Sequence, residues 1–207
     1  MQPFTLTAEE IASNFNKYRS LCEKLGDRSA AALALVDGLG TRLALCPASS
    51  KKDFHRAIPG GLVEHSLRVL LNAKRVVTAF NWDVPKDSLI ISCLFHDLGK
   101  VGNLEHDRYV DAEDWKKQKW GELYQYNENA VPMLDVPNAG LFLCQHYGLR
   151  LTQDETMAIL LNDGFVVEAN RQYCLKVPPL VYAVQTGDYI STAQEKNNTL
   201  GFEGKQQ

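Results

Sequence analysis

The stretch SLIISCLFHDLGK, residues 88–100, decides the fold of this chain. Nearly every residue from Leu89 to Phe95 is apolar, which predicts a helix over residues 88–98 that lies in the centre of the structure. An ionised carboxylate at the end of such a helix is costly to desolvate unless it has a partner. The adjacent His96 and Asp97 therefore indicate a binding partner at this helix end, and a divalent cation would be a suitable one.

Helix signals recur on both sides of this stretch, whereas strand alternation is scarce. The sequences TAEE from Thr7 and TQDE from Thr152 are capping boxes, which mark the first turn of a helix. Residues 101–136 form a polar and aromatic excursion with one helix inside it, and residues 164–175 favour a short hairpin. Besides 88–98, the predicted helices cover residues 7–25, 29–45, 62–80, 113–125, 136–147 and 180–193, and a further one begins at Thr152.

This pattern predicts an all-α helical bundle in a single domain of 207 residues. Residues 1–53 are expected to form N-terminal helices that pack on the core. Residues 54–193 form the core itself, with the irregular excursion between the His-Asp helix and the last helices. Residues 194–207 are polar, and we expect a frayed tail there.

Composition and charge narrow the classes of function. The chain is 45% hydrophobic and 23% charged, and its formal net charge is −3. This charge argues against stable binding of duplex nucleic acid, which usually requires a basic excess. No apolar run reaches the length of a membrane span and no leader pattern opens the sequence, so we expect a cytoplasmic protein that binds no membrane. The five cysteines contain no CxxC pair, which argues against a disulfide framework and a zinc knuckle.

Two further residues could join His96 and Asp97 at a metal. His65 stands on the core-facing side of the preceding long helix, and Asp188 lies in the last apolar helix. Three separate helices thus each place an imidazole or a carboxylate amid apolar sequence, as is usual for metal sites inside helical bundles. Any one of these residues alone is better explained as a satisfied core or capping side chain, but the set of four favours a metal.

Two motifs carry a resemblance to a known family, FHRAIPGGLVEHSL at residues 54–67 and FHDLGK at residues 95–100. With Asp188 they resemble the His…His-Asp…Asp signature of the HD superfamily of metal-dependent phosphohydrolases, over about residues 54–192. They are similar to the HD domain of a bacterial 3′-5′ exoribonuclease group and to uncharacterised, often phage-encoded, HD hydrolases. The resemblance implies an all-α HD-domain bundle that hydrolyses a phosphoester.

The resemblance also implies a divalent metal cofactor, with Mn, Co, Ni, Fe, Zn and Mg as the candidates. Such an ion polarises a phosphoryl oxygen and acidifies a bound water near neutral pH. A binuclear site needs additional histidines, and related phage-type proteins often have one before Asp-Gly, where this chain has Asn162. We therefore expect one ion per chain. The metal ligands implied by the family signature are His65, His96, Asp97 and Asp188.

Catalytic roles follow from the same resemblance. Asp97 would orient the attacking water in addition to binding the metal. Lys100 lies one turn beyond His96 and would offset negative charge on the phosphate in the transition state. A helix C-terminal cation favoured by the dipole is the alternative explanation of this lysine, and the two roles are compatible. His146 is the candidate for a catalytic acid or for a ligand of a second metal.

Residues around the first motif suggest contacts to the substrate and to the metal ligands. His55 and Arg56 match a position that is often basic or histidine in similar HD proteins, which suggests phosphate recognition. A plain loop pair is the alternative. Glu64 could accept the second N–H of His65, although adjacent residues rarely face each other on a helix.

Three hypotheses describe what the protein acts on or binds. A compact, mildly acidic domain favours a small phosphorylated substrate, such as a deoxynucleoside mono- or triphosphate. Lys100 argues against a 5′-nucleotidase in particular, because similar nucleotidases carry a glutamate at this position. The aromatic side chains of the excursion could stack on a nucleobase, although core packing is their commoner use; they are Trp115, Trp120, Tyr124 and Tyr126.

The two alternatives are an exonuclease and a binding module. The GGLxEH motif favours a 3′-5′ exonuclease on short single-stranded nucleic acid. Such enzymes usually add a nucleic-acid-binding module, and residues 1–53 predict helices instead of the strands of an OB-fold. A non-catalytic HD module that binds a nucleotide or a partner would commonly have lost a metal ligand, and here all four are intact.

Overall fold

The computed structural model describes residues 4–51, 55–120 and 122–197, and within these ranges the chain is mostly helical. None of the described helices combines the length and apolar character that crossing a membrane requires. A single pair of short antiparallel strands, β1 (Tyr109–Asp111) and β2 (Tyr124–Tyr126), accompanies the helices in the described part. The helices are α1 (Ala8–Cys22), α2 (Ser29–Leu45), α3 (Gly61–Phe80), α4 (Lys86–Phe95), α5 (Trp115–Lys119), α6 (Val136–His146), α7 (Gln153–Leu160) and α8 (Pro179–Asn197).

The core consists of two apolar clusters, and α3 and α4 contribute to both. Every residue of α4 from Ser88 to Phe95 is buried, as its apolar sequence predicts. The first cluster lies among α1, α2, α3, α4 and α6 and includes Tyr18, Leu35, Leu43, Ile91, Phe95 and Leu143. The second lies among α3, α4, α7 and α8 and includes Val69, Ala73, Cys93, Leu161, Val181 and Val184.

Two glycines of the sequence motifs permit close backbone contacts. A side chain at Gly61 would collide with the carbonyl oxygen of Arg56, and one at Gly99 would collide with the carbonyl oxygen of Val136 at the start of α6. Both positions therefore require glycine for steric reasons. Gly61 starts α3 and Gly99 lies in the 3-10 turn Leu98–Val101 after α4, so the two contacts fix the helix ends on which the motifs stand.

The sequence predicted most helices within a few residues, and both capping boxes are confirmed at Thr7 and Thr152. The predicted hairpin at residues 164–175 is wrong, because a 3-10 helix occupies Glu168–Tyr173. The predicted helix over 113–125 is too long: α5 ends at Lys119 and the chain then enters β2. The central helix ends at Phe95 and not at residue 98, so His96 and Asp97 lie just beyond its last turn.

The last helix extends further than its sequence suggested. Helix α8 continues to Asn197, past the predicted end at residue 193. Gln194 and Glu195, which we expected in a frayed tail, are buried at 8% and 6% exposure. The rest of the predicted tail, residues 198–207, lies outside the described residues. The final turn of α8 is therefore part of the packed structure.

The excursion is more ordered than its polar composition indicated. Its strands pair in the register Tyr109 to Tyr126 and Asp111 to Tyr124. Arg108 is buried at the base of this hairpin and donates to the carbonyl oxygen of Leu134 at 2.9 Å. This side-chain hydrogen bond ties the hairpin to the segment before α6.

Helices α3 and α8 make the most extensive contact of the fold, and Gly187 lies at their closest approach. A Cβ atom at Gly187 would lie 2.9 Å from the Cβ of Ala73 and 2.9 Å from the carbonyl oxygen of Val69. Gly187→Ala would gain about 1 kcal/mol of helix propensity. We nevertheless expect a net loss of about 1–3 kcal/mol in the free energy of unfolding, because the overpacked backbone must move apart.

Denaturant unfolding measures this difference. Thr186→Ala, at an exposed position one residue away, is the control and should leave stability nearly unchanged. A Gly187→Ala variant as stable as the control variant would contradict the predicted tight contact.

Candidate metal centre

The predicted metal ligands converge in the structure at the junction of three elements. His65 lies in the first two turns of α3, His96 and Asp97 follow α4, and Asp188 lies midway along α8. His65 and His96 are fully buried and Asp97 is only 6% exposed. The Nδ1 atom of His96 faces the carbonyl oxygen of Cys93 at 2.9 Å, which orients its Nε2 atom toward the cluster.

The distances between these side chains suit a shared ion. The Nε2 atom of His65 lies 3.0 Å from Oδ1 of Asp188 and 3.8 Å from Oδ2 of Asp97. The Nε2 atom of His96 lies 3.4 Å from the same Oδ2 of Asp97. His65, His96 and Asp188 each offer a ligand atom within 4.8 Å of the other two.

The hydrogen bonding of the two histidines also suits a metal ion. The Nε2 atoms of His65 and His96 are buried and, within the described part of the chain, neither makes a hydrogen bond of acceptable geometry. Buried polar atoms without a partner are rare in folded proteins and mark places where an ion or water is bound. These buried histidine and aspartate groups can therefore hold a metal ion.

A carboxylate from the last turn of α8 orients His65. Both oxygens of Glu195 lie 3.0 Å from Nδ1 of His65, and the side chain of Glu195 is fully buried. A carboxylate on the outer nitrogen of a metal-binding histidine fixes its tautomer and makes the ligand more basic. Burial lowers the pKa of His65, but Glu195 and Asp188 outweigh this effect and raise it to about 10.

The expectation that Glu64 would accept from His65 is wrong. Glu64 instead accepts from Arg56 at 2.7 Å and from Arg68 on the next turn of α3. The Nε atom of Arg68 lies 3.5 Å from Oε1 of Glu195. The partner of His65 thus comes from a residue distant in sequence, and Glu64 belongs to the charged network around that partner.

Lys100 and Asp97 form a buried ion pair at the centre. The Nζ atom of Lys100 lies 2.5 Å from Oδ2 of Asp97, and both side chains are mostly buried. Burial raises the pKa of Asp97, but the charges of Lys100 and His96 hold it well below its usual range. Burial lowers the pKa of Lys100, but Asp97 more than compensates and raises it. The lysine therefore places a positive charge beside the candidate metal ligands.

His55, which was predicted to contact the phosphate of the substrate, lies directly beside the candidate metal ligands. Its ring centroid is 4.5 Å from that of His65, and it offers a ligand atom within 4.8 Å of His65 and Asp97. Both of its ring nitrogens are buried and, among the described residues, have no hydrogen-bond partner. His55 is thus available to a metal or to a phosphate oxygen.

Arg56, the other residue predicted to contact substrate, is engaged elsewhere. Its guanidinium pairs with Glu64 and stacks on the ring of Phe4 at 3.7 Å from the centroid. Its contact to a phosphate stays a prediction, and it would require Arg56 to share its charge with Glu64.

His146 is not brought into the cluster. It is exposed at the end of α6, where its ring contacts Phe142 and Tyr147, and it belongs to neither candidate ligand group in the described residues. The side chain that approaches Asp97 from this part of the chain belongs to Asn162. Its amide nitrogen lies 3.4 Å from Oδ1 of Asp97 and 3.3 Å from the carbonyl oxygen of His96.

Two acidic residues of the site escaped the sequence analysis. Glu195 lies seven residues, or two helical turns, after Asp188, so a helix extended past residue 193 would have placed both on one face. Asp163 follows Asn162 at the edge of the cluster. Burial, and then the nearby charge of Asp97, raise the pKa of Asp163. Nothing in the sequence indicates a role for its carboxylate.

If Glu195 supports His65 as a ligand, its charge should contribute to metal affinity. We expect Glu195→Gln to weaken Mn²⁺ or Zn²⁺ binding about 10–100-fold, in line with the loss of other outer-sphere carboxylates. Competition with a chromophoric chelator measures the dissociation constant. Glu113→Gln, an exposed change of the same type, is the control. Equal affinity in both variants would show that Glu195 has only a structural role.

Metal binding should also release a proton from His65. The pKa of His65 is raised to about 10, so this imidazole is protonated in the metal-free protein at pH 7–9. An ion must displace that proton to reach Nε2, and its affinity should fall as the pH is lowered through this range. Titration calorimetry in two buffers of different ionisation enthalpy should give about one proton released per ion at pH 8. Binding without proton release would contradict ligation by His65.

Comparison with known proteins does not assign the chain to a family. No family model, no curated protein and no solved structure matches it. The case for its function therefore depends on the side chains that the fold brings together.

Proposed function

We propose that this protein is a metal-dependent phosphohydrolase of the HD type that acts on a small phosphoester, in particular a nucleotide. One observation carries the proposal: two buried imidazole nitrogens, which have no hydrogen-bond partner of acceptable geometry among the described residues, face two carboxylates, and a lysine ammonium lies beside them. The imidazoles and carboxylates suit a divalent ion, and the ammonium suits the anionic group of a substrate.

The geometry favours one ion per chain. The two candidate ligand groups, one with His55 and Asp97 and the other with His96 and Asp188, both include His65. His65 has only Nε2 to offer, because Nδ1 faces Glu195. A single nitrogen binds a single ion, so the two groups cannot each hold an ion of their own through His65.

The donor set favours a transition metal. Imidazole nitrogens suit Zn, Fe, Ni and Cu, whereas Mg and Ca prefer sites made only of oxygen ligands. A mixed set of nitrogen and carboxylate donors therefore supports Mn, Fe, Co, Ni or Zn over Mg. When bound, such an ion would act as a Lewis acid and lower the pKa of a water in the site.

Each remaining residue has a task in this proposal. Lys100 binds a non-bridging oxygen of the phosphate and stabilises the charge that grows there during reaction. His55, whose pKa is lowered to about 3 by burial and by the charge of His65, stays neutral and donates one N–H to the phosphate or ligates the ion. Asp163, whose pKa is raised by burial and by the charge of Asp97, is the candidate general acid for the leaving oxygen.

Turnover by the metal-loaded protein tests the proposal. The full chain is stripped with a chelator, reloaded with Mn²⁺, Co²⁺, Ni²⁺, Zn²⁺ or Mg²⁺, and assayed against bis(p-nitrophenyl) phosphate, a nucleotide panel and labelled oligonucleotides. We expect release of inorganic phosphate or nucleoside, and a loss of at least about 100-fold in kcat in Asp97→Ala and Asp188→Ala. Bound metal should fall in both variants.

Controls separate this activity from contamination and from misfolding. Asp83→Ala, an exposed aspartate before α4, should retain full metal content and turnover. Full activity in Asp97→Ala would contradict the assigned site, and inactivity on all substrates with metal bound would support a binding module instead. A ladder of shortened strands without nucleotide hydrolysis would favour the exonuclease.

A further inference from the structure

A cleft of about 230 Å³ opens beside the metal centre, between the end of α2 and the β1–β2 hairpin. We propose, on the basis of the proposed function, that this cleft binds the nucleobase of a nucleotide with a single phosphate. Lys100, which sets this chain apart from the glutamate-bearing 5′-nucleotidases, would meet that phosphate with a positive charge, so the proposed site differs from theirs in this contact. We call it the tyrosine cleft; the lining residues that matter are Arg42, Lys100, Asp107, Tyr109, Asp111 and Tyr124.

Lys100 connects the tyrosine cleft to the metal centre. Its side chain lines the cleft, and its ammonium lies 2.5 Å from the Asp97 carboxylate inside the cluster. A phosphate that contacted both Lys100 and an ion held by these ligands would have its organic substituent within reach of the cleft. Burial raises the pKa of Tyr109 to about 12, so its phenol beside Lys100 stays neutral.

The hairpin presents one aromatic face to the cleft. Tyr109 pairs with Tyr126, and Asp111 pairs with Tyr124. Residues directly opposite each other, and residues two apart on one strand, lie on the same face of a sheet, so Tyr109, Asp111 and Tyr124 share a face. Both tyrosines that line the cleft are half-buried, which holds their rings in place while one side stays accessible. Aromatic side chains held in this way are stacking platforms for nucleobases.

The charges of the cleft argue for one phosphate and against three. Arg42 donates to Asp107 at 2.5 Å and to the carbonyl oxygen of Asn103 at 2.9 Å, so its charge is already balanced. Lys100 is paired as well, with Asp97, but this hydrogen bond uses one of the three N–H donors of its ammonium, which can therefore still donate to a phosphate from this side. Asp111 is exposed in the cleft and would repel further phosphate groups. A triphosphate would bring negative charge that these residues leave unpaired.

The size of the cleft also favours a single nucleotide. Pockets for drug-sized ligands have volumes of about 300–1,000 Å³, and this cleft is smaller. A single base fits this limit, whereas several consecutive nucleotides of a strand would extend beyond it. The exposed Trp115 and Trp120, which the sequence suggested as stacking residues, do not line the cleft.

Binding of matched ligands tests the proposal independently of turnover. The probes are phosphonate analogues of AMP, ATP and ribose 5-phosphate, in which a methylene group replaces the ester oxygen at C5′. Calorimetry on the Mn²⁺-loaded full chain should show the AMP analogue binding about ten-fold or more tighter than the ribose analogue, which lacks only the base. The ATP analogue should bind more weakly than the AMP analogue.

Variants assign the preference to the cleft. Tyr124→Leu should abolish the advantage of the AMP analogue while the affinity for the ribose analogue is retained, and Tyr124→Phe should preserve both. Phe80→Leu, an exposed ring at the end of α3, is the control and should change neither. Asp111→Lys should improve binding of the ATP analogue relative to the AMP analogue. Because Asp111 is exposed, Asp111→Lys tests the cleft even if Tyr124→Leu disturbs the hairpin.

The outcomes separate this inference from the proposed function. Equal binding of the AMP and ribose analogues would overturn the base site. So would a preference for the AMP analogue that survives Tyr124→Leu, if Asp111→Lys also leaves the ratio of the ATP-analogue and AMP-analogue affinities unchanged. Metal-dependent turnover would then still support the phosphohydrolase. Conversely, base-dependent binding sensitive to Tyr124, without turnover of any phosphoester, would retain the cleft and refute the hydrolase.

Discussion

His65 is enclosed between two carboxylates of one helix, with Glu195 at Nδ1 and Asp188 at Nε2, and it has no exposed surface. Burial of a charge in protein is expensive unless a partner of opposite sign is held beside it. The compensation in this case spans two helices, since His65 belongs to α3 and both carboxylates to α8. The packing of these helices therefore has to be close and unique, because a shift along either axis would separate an imidazole from its carboxylates.

The rest of the fold maintains that placement. Small residues at the closest approach, Ala73 and Gly187, let α3 and α8 pack against each other without intervening side chains. Helix α4 is held from the opposite side, where the hydroxyl of Tyr18 donates to the carbonyl oxygen of Leu94 at 2.6 Å. Gly99, about one turn later, packs against the backbone of α6 at Val136 and Gly140. His96 and Asp97 lie between these two anchors, so other residues hold the backbone on both sides of them.

Much of the centre could be predicted from sequence because its residues stand in regular, strongly patterned helices. The apolar run of α4 and the glycines before α3 placed His65, His96 and Asp97 at helix ends in the core, and Asp188 followed from the last apolar helix. Glu195 could not be found in this way, since its neighbours are polar and composition alone predicts a solvent-exposed end. Contacts with α3, between Asn72 and Gln194 and between His65 and Glu195, stabilise that final turn.

The hairpin escaped prediction for a different reason. Its two strands have three residues each, too few for the two-residue alternation by which strands are recognised, and aromatic residues occur in helices as well. Its pairing and the anchor at Arg108 are tertiary features. The tyrosine cleft depends on this hairpin, so the surroundings of the site were less visible in the sequence than the ligands themselves.

The distance along the chain between His65 and Glu195, 130 residues, has a consequence for biosynthesis. A contact of such long range carries a large loop-closure entropy and tends to slow folding. During translation, His65, His96 and Asp97 leave the ribosome well before either carboxylate of α8. A nascent or prematurely terminated chain therefore contains the recognisable motifs without the completed centre. The complete set of candidate ligands, together with the carboxylate that orients His65, thus comes together only in chains whose synthesis has passed residue 195.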